Sequence, residues 1–262
     1  SRAGSVGPFA FFTWVDFSVS LVIAGLLMMF FVEYGASLIA PPAENHAILK
    51  RVFALTMSLV LGLYGVLYRT SPGPVYLGMI LLIPVAIDAL CEHLIGIQSI
   101  YVRLRKLRFV RWLFYPGWVS GFIFVSLVTW MNLLFAFWAD PDDEIWILGL
   151  VGYNALIWPF FWMRVIPFLT KKPLVSYVAI QIFSFILCMF VVFLDEVHFI
   201  SNYTVLGHFL PVLGFFVIES EGISDLMLPL LSVNTAIMVM IALLKARRPL
   251  IQMHILSRGE ER

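Results

Sequence analysis

The chain has 262 residues, of which 61% are hydrophobic and only 13% are charged, and its formal net charge is +1. Soluble domains contain about half apolar and about a quarter charged residues, so this composition excludes an ordinary water-soluble domain. The near-zero net charge argues against a nucleic-acid partner, because such proteins concentrate positive charge on one surface. We therefore predict an all-α, polytopic helical membrane protein that forms a single transmembrane domain over residues 1–262.

Seven apolar segments are long enough to cross a bilayer as helices. The first begins with a cluster of aromatic residues, which is typical of a helix that meets the lipid headgroups, and it is too long for a cleaved signal peptide. Proline and glycine mark several of the connections between segments. The predicted spans are residues 9–32, 52–68, 74–98, 115–138, 145–168, 174–194 and 226–244.

The charges between these segments predict the orientation of the chain. Residues 101–112 carry five cations and no acid, and such short cationic segments remain in the cytoplasm. Residues 140–144 carry four acids and no cation, which fits the opposite side. We therefore expect an integral, multi-pass protein with its N-terminus outside and its C-terminus in the cytoplasm. The cationic segment could also bind anionic lipid or a partner.

Residues 199–218 are apolar but interrupted, with Gly207, Pro211 and Gly214 among the interruptions. If this segment crossed the membrane, the basic end of the last helix, which contains Lys245 and Arg247, would lie outside and violate the charge rule. A re-entrant or interfacial segment leaves that basic end in the cytoplasm. We therefore prefer seven spans, and eight remain an alternative.

The third predicted span carries Asp88, Glu92 and His93 past its midpoint. Two carboxylates four residues apart leave a helix on one face, and inside a bilayer one of them should retain a proton, with a raised pKa. This arrangement predicts a proton or ion site, with Asp16, Asn132 and Asn154 as additional members. The alternative is a structural hydrogen bond from the acids to an asparagine of a neighbouring helix, with Asn132, Asn154 and Asn234 as candidates.

A second group of potential ligands lies at the predicted outer side. Carboxylates and imidazoles bind zinc, iron or copper, and the group comprises Asp195, Glu196, His198, His208, Glu219, Glu221 and Asp225. The run that begins at Asp195 is faintly similar to the intramembrane ligand run of the copper membrane monooxygenases, and a segment similar to FYPGW at 114–118 also occurs in that family. A second set of histidine ligands is missing, so the family is not assigned. A solvated acidic rim is the alternative interpretation.

The sequence gives no signature for a retinal, nucleotide or haem cofactor. Residues 231–244 resemble the last helix of retinal proteins, but Ala236 occupies the expected position of the lysine that forms the Schiff base. Cys91 and Cys188 fall inside apolar segments, where a buried thiol that only packs is the simplest interpretation. A metal ion is therefore the one cofactor that the sequence leaves open.

These observations lead to three functional hypotheses. The first is a membrane protein that moves or relays protons, ions or a small solute through the carboxylates Asp88 and Glu92. The second is a non-catalytic membrane subunit that packs against other membrane chains, or against copies of itself, within the lipid bilayer. The third is a metal-dependent membrane enzyme that uses the outer Asp, Glu and His group.

Overall fold

The computed structural model describes residues 44–68, 73–92, 113–114, 117–139, 141, 143–196, 213–214 and 227–259, together with isolated positions between 21 and 35. All regular structure in these residues is helical, with no strand. Five of the helices are long and apolar enough to cross a membrane, and a sixth apolar helix is shorter. The described part of the chain thus has the architecture predicted for an integral membrane protein, although the predicted first span and the 199–218 segment lie largely or wholly outside it.

Six helices in the described residues correspond to predicted spans. In chain order the helical segments are α1 (Glu44–Tyr68), α2 (Gly73–Cys91), α3 (Trp118–Ala139), α4 (Asp143–Val165), a 3-10 turn (Pro167–Lys171), α5 (Pro173–Glu196) and α6 (Met227–Gly259). Helix α1 starts eight residues earlier than predicted, α2 ends seven residues earlier and α6 ends fifteen residues later.

Proline and glycine set several of these ends. The Pro41-Pro42 pair precedes α1 in the sequence, and α4 ends at Val165 because Ile166 is extended, as a residue before proline usually is. Gly117 lies immediately before α3 with a φ of 136°, a conformation that residues with a Cβ rarely adopt. The start of α3 is therefore specified by this glycine.

Helix α2 is shorter than predicted. It ends at Cys91, whereas the apolar pattern predicted a helix to residue 98. Its apolar part, Val75–Cys91, is about 26 Å long at 1.5 Å per residue, compared with about 30 Å for the hydrocarbon core. Asp88 therefore lies in the last turn and Glu92 just beyond the helix. The sequence had placed both acids deeper within a crossing helix.

Helices α1, α2 and α3 pack closely on one another. A Cβ added at Gly121 of α3 would lie 2.2 Å from the carbonyl oxygen of Ala89 on α2, so the two backbones are nearly in contact there. The buried cluster at this interface includes Val85, Ala86 and Val125. Cys91 and Cys188 are both free and buried, as the sequence predicted.

One end of the bundle contains two ion pairs. Lys50 and Arg51 near the start of α1 meet Asp88 and Glu92 at the end of α2, close to Gly117 at the start of α3. We call these five residues the ion-pair end. Helix α4 finishes at this end and α5 begins there, because Arg164 bonds the Leu90 carbonyl and Leu174 lies beside Asp88.

Helix α6 runs in the same direction as α4. Leu231 packs against Ile147 and Val151, and one turn later Thr235 donates a hydrogen bond to Asn154. Later residues of α6 therefore contact later residues of α4, so the two helices are parallel. Because α4 ends at the ion-pair end, α6 starts at the opposite end. It continues to Gly259, beyond the predicted end of the span at residue 244.

Candidate functional site

The hairpin of α1 and α2 places two cations opposite two acids. Lys50 and Arg51 lie about as many residues before the 69–72 connection as Asp88 and Glu92 lie after it. In an antiparallel pair of helices, residues at equal distances from the connection lie side by side, so the two cations face the two acids. The Lys50 Nζ to Asp88 Oδ2 distance is 2.5 Å, and the Arg51 Nη2 to Glu92 Oε2 distance is 2.7 Å. Each carboxylate thus has its own cation.

Arg51 is held by backbone and side-chain oxygens as well as by its ion pair. Its side chain is only 1% exposed. Nη1 donates to the Leu113 carbonyl at 2.8 Å and to Ser120 Oγ at 3.1 Å, and Nη2 also approaches the Gly117 carbonyl at 3.4 Å. A guanidinium can bind several acceptors at once because it is planar and presents five N–H donors in a rigid arrangement. This cation is therefore fixed between α1, α2 and the start of α3.

Glu92 accepts hydrogen bonds from two sides. The oxygen that binds Arg51 also accepts the backbone N–H of Gly117, at the start of α3, where the helix dipole favours negative charge. Burial raises the pKa of Glu92, which lies just outside the apolar helix, while the Arg51 guanidinium and the Gly117 N–H lower it. Burial has the larger effect, so this carboxyl takes up a proton more readily than one in water.

Asp88 is the more accessible of the two acids. Its side chain is 37% exposed, compared with 22% for Glu92. Both line an open cavity of about 370 Å³ between the end of α2 and the start of α5, and Lys172 lies on its opposite wall. The Asp88–Lys50 ion pair therefore lies where water or an ion can approach it.

Arg164 stabilises the end of α2 from a third helix. Its Nη2 donates to the Leu90 carbonyl at 3.2 Å, and its guanidinium lies 4.3 Å from the centre of the Trp118 ring. A cation near the last carbonyls of a helix is favourable because the helix dipole is negative there. The end of α2 is thus contacted by cations from two other helices, with Lys50 and Arg51 of α1 at its carboxylates and Arg164 of α4 at its backbone.

The two predicted asparagine members lie elsewhere in the bundle. Asn132 Nδ2 donates to Ser58 Oγ at 3.0 Å and joins α3 to α1. Asn154 Oδ1 accepts a hydrogen bond from Thr235 Oγ1 at 2.8 Å and joins α4 to α6. Both asparagines are fully buried. The described contacts of Asp88 and Glu92 are with cations and a backbone amide. The alternative hypothesis from the sequence was a hydrogen bond from these acids to an asparagine.

The other predicted site residues cannot be placed beside this group. Asp16 and His93 lie outside the described residues, as do His198, His208, Glu219 and Glu221. Asp195 and Glu196 are the last two residues of α5. Within the described ranges no three His, Cys, Asp or Glu side chains are grouped as metal ligands would be. The outer metal site therefore stays a prediction.

Sequence reasoning missed Lys50 and Arg51 as site residues. It treated both as cations that open the second span, which is their usual role at a membrane boundary. A signal was present, because the short 69–72 connection forces α1 and α2 to be antiparallel neighbours. Counting outward from that connection places Arg51 level with the end of α2, where the acids lie.

No protein-family model, curated protein or solved structure matches the chain. The chemistry of the site must therefore be inferred from its own residues.

Proposed function

We propose that this protein is a multi-pass membrane protein of the transport type that handles protons or small cations through Asp88 and Glu92. The observation that carries the proposal is the pairing of Asp88 with Lys50 on the wall of an open cavity, beside the less exposed Glu92–Arg51 pair. A proton or cation from solvent would reach the more exposed carboxylate first and the less exposed one next.

The two ion pairs would play different roles. Arg51 is bonded to carbonyl and hydroxyl oxygens in addition to Glu92, so it is the fixed partner. Lys50 has a long, flexible side chain and pairs with the more exposed acid. A proton from solvent that neutralised Asp88, or a cation that bound to it, would release the Lys50 ammonium. Loading of the site would thus begin at Asp88, and Glu92 would lie next along the route.

A route deeper into the bundle would follow the contact between α1 and α3. Ser58 lies seven residues after Arg51 on α1, which corresponds to about 10 Å along the helix. It accepts a hydrogen bond from the buried Asn132. These two side chains are the polar groups that an ion or proton would meet after the ion-pair end, which is the role the sequence suggested for Asn132.

We place the ion-pair end in the cytoplasm and count seven spans. Support comes from the exposed cations Lys171 and Lys172 in the connection between α4 and α5 at this end. Because α6 runs parallel to α4, Lys245 and Arg247 also lie toward it. Helix α5 runs from the ion-pair end to the opposite end, and α6 starts at that same opposite end. Residues 197–226 would therefore begin and end on one side of the membrane, as a re-entrant or interfacial segment does.

A membrane subunit within a larger complex is the second candidate. The hydrogen bonds around Arg51 and Glu92 join three helices, which is consistent with a purely structural role. In addition, only 22% of the apolar part of α5 is buried, compared with 50% for α3 and for α4. The exposed face of α5 carries Phe183, Phe185, Phe190 and Phe193, which would pack against another membrane chain or a second copy.

Ion flux in proteoliposomes tests the first proposal. The wild-type protein should pass protons, Na⁺ or K⁺ down an imposed gradient faster than protein-free liposomes do. Asp88→Asn should reduce that flux at least tenfold, because the carboxamide is nearly the same size but has no negative charge and no acidic proton to exchange. Phe185→Leu, on the exposed face of α5, is the matched control and should leave the flux unchanged.

Two outcomes contradict this proposal. One is wild-type flux equal to that of empty liposomes for all three ions, and the other is full flux in Asp88→Asn. If either is found and the purified protein forms a stable oligomer that Phe185→Leu weakens, the subunit hypothesis is favoured.

A further inference from the structure

A second cavity lies near the middle of the bundle, away from the ion-pair end. It has a volume of about 420 Å³ and is enclosed by α2, α3 and α4. Its walls are almost entirely apolar, and the residues used below are Ile80, Ile83, Thr129, Leu148, Tyr153 and Leu156. The α2 residues of this cavity precede Asp88 by one to three helical turns, so the cavity is separate from the ion-pair site.

The mouth of this cavity faces the side of the bundle. Ile80 is 60% exposed and Ile83 is 42% exposed, and both lie on the outward face of α2. In a membrane that face meets lipid tails and not water. A molecule that enters here must therefore already be dissolved in the bilayer.

One hydroxyl on the cavity wall is unused. Thr129 is 7% exposed, and its Oγ1 has no hydrogen-bond partner among the described residues. A helical threonine normally bonds the carbonyl one turn earlier when no other partner is present. A buried polar group without a partner is unfavourable, so this hydroxyl is available to a bound molecule in the part of the cavity that the structure describes.

The neighbouring tyrosine supplies the complementary group. Ser126 donates to the Phe122 carbonyl at 2.8 Å, so the 2.6 Å contact between Ser126 Oγ and Tyr153 Oη has the tyrosine as donor. The Tyr153 oxygen can then only accept, whereas the Thr129 hydroxyl is free to donate. An alcohol is the simple group that satisfies both, since it donates and accepts at one atom.

We infer that this cavity binds a lipid-soluble alcohol, with its hydrocarbon body against the apolar walls and its hydroxyl at Thr129 and Tyr153. At about 30 Å³ for each non-hydrogen atom, the cavity holds about 14 such atoms. This size is within the range of small-molecule sites, which combine apolar walls with a few polar groups. The inference does not depend on the ion-handling function proposed above.

Photolabelling tests the inference directly. The probes are an unbranched alcohol of about 14 non-hydrogen atoms that carries a diazirine, and the same molecule without its hydroxyl. In the wild-type protein the alcohol probe should label residues 76–83 and 148–156, and excess unlabelled alcohol should compete. Thr129→Val should reduce this labelling about fivefold, the effect of one lost hydrogen bond, and should leave labelling by the hydrocarbon probe unchanged.

A blocking variant and its control complete the experiment. Ile83→Trp should close the mouth and abolish labelling of both segments by either probe. Ile237→Trp is the matched control, because Ile237 on α6 is 46% exposed and lies outside the cavity; its labelling should equal that of the wild type. Each variant should also elute and unfold as the wild type does, which separates loss of the site from loss of the fold.

Three results would overturn the inference. They are labelling spread evenly over the apolar surface, equal labelling by the alcohol and hydrocarbon probes that Thr129→Val does not change, and labelling that persists in a folded Ile83→Trp protein.

Discussion

Arg51 of α1 and Glu92 at the end of α2 form an ion pair 2.7 Å long, and the Glu92 oxygen in this pair also accepts the amide of Gly117 at the start of α3. A single carboxylate oxygen therefore joins three helices. The neighbouring Lys50–Asp88 pair joins α1 to α2, and its acid is the more exposed. The two pairs should thus differ in what they contribute to stability.

Removing Arg51 should destabilise the protein strongly. Arg51→Leu leaves the buried Glu92 carboxylate and the Leu113 carbonyl without their cation, and breaking one side of a buried pair costs about 3–5 kcal/mol. Lys50→Leu is the control and should cost about 1 kcal/mol or less, because its partner Asp88 is more exposed. The free energy of unfolding in mixed micelles measures both. Equal losses would show that burial of Arg51 is not decisive.

Gly121 should not tolerate even a methyl group. Gly121→Ala would place a Cβ 2.2 Å from the Ala89 carbonyl oxygen, and since that atom belongs to the backbone of α2, the helices must separate. We expect a loss of about 1–3 kcal/mol, as for other overpacked interfaces. Gly78→Ala is the matched control, because the nearest atom to its Cβ would be 3.4 Å away and alanine favours a helix. Similar thermal unfolding of the two variants would contradict this packing.

The class of protein and most helix positions were predictable from the sequence, because long apolar runs and proline or glycine breaks carry that information locally. Gly117 illustrates this, since it lies near the start of the predicted span 115–138 and immediately before α3. The end of α2 was not predictable, because residues 94–97 are again apolar after Glu92 and His93, so the apolar pattern continues past the acids. The partners of Asp88 and Glu92 were missed for a different reason: they come from another helix, and hydrophobicity does not show which faces of two helices meet.

The buried polar pairs between helices should show measurable coupling. A double-mutant cycle with Ser58→Ala and Asn132→Ala should give about 0.6 kcal/mol, the typical value for such bonds in membrane proteins. Ser58→Ala combined with Thr235→Ala is the control cycle and should give none, because these two residues bond different asparagines. Coupling of the same size in both cycles would mean that the 3.0 Å contact between Ser58 and Asn132 contributes nothing specific.

Replacing either of two buried threonines with valine should change the free energy of unfolding in different ways. Thr129→Val removes a hydroxyl that has no partner in the described part of the chain, so stability should be unchanged or should rise by up to about 1 kcal/mol. Thr235→Val removes a hydroxyl whose single proton lies between Asn154 Oδ1 and the Leu231 carbonyl, and should cost about 1–2 kcal/mol. The two residues are almost equally buried, at 7% and 6% exposed. Thermal unfolding of the two purified variants measures the difference, and a destabilised Thr129→Val protein would indicate an internal partner for that hydroxyl.

The most direct test of the ion-handling proposal is the proton and cation flux of the charge-swapped protein, Lys50→Asp with Asp88→Lys. The swap keeps the ion pair between α1 and α2 but moves the carboxylate from α2 to α1, away from Glu92. If Asp88 loads the site, the swapped protein should unfold at the wild-type temperature and show the reduced flux of Asp88→Asn. Recovery of both stability and flux would contradict the proposal, because it would show that the pair serves only to hold the helices together.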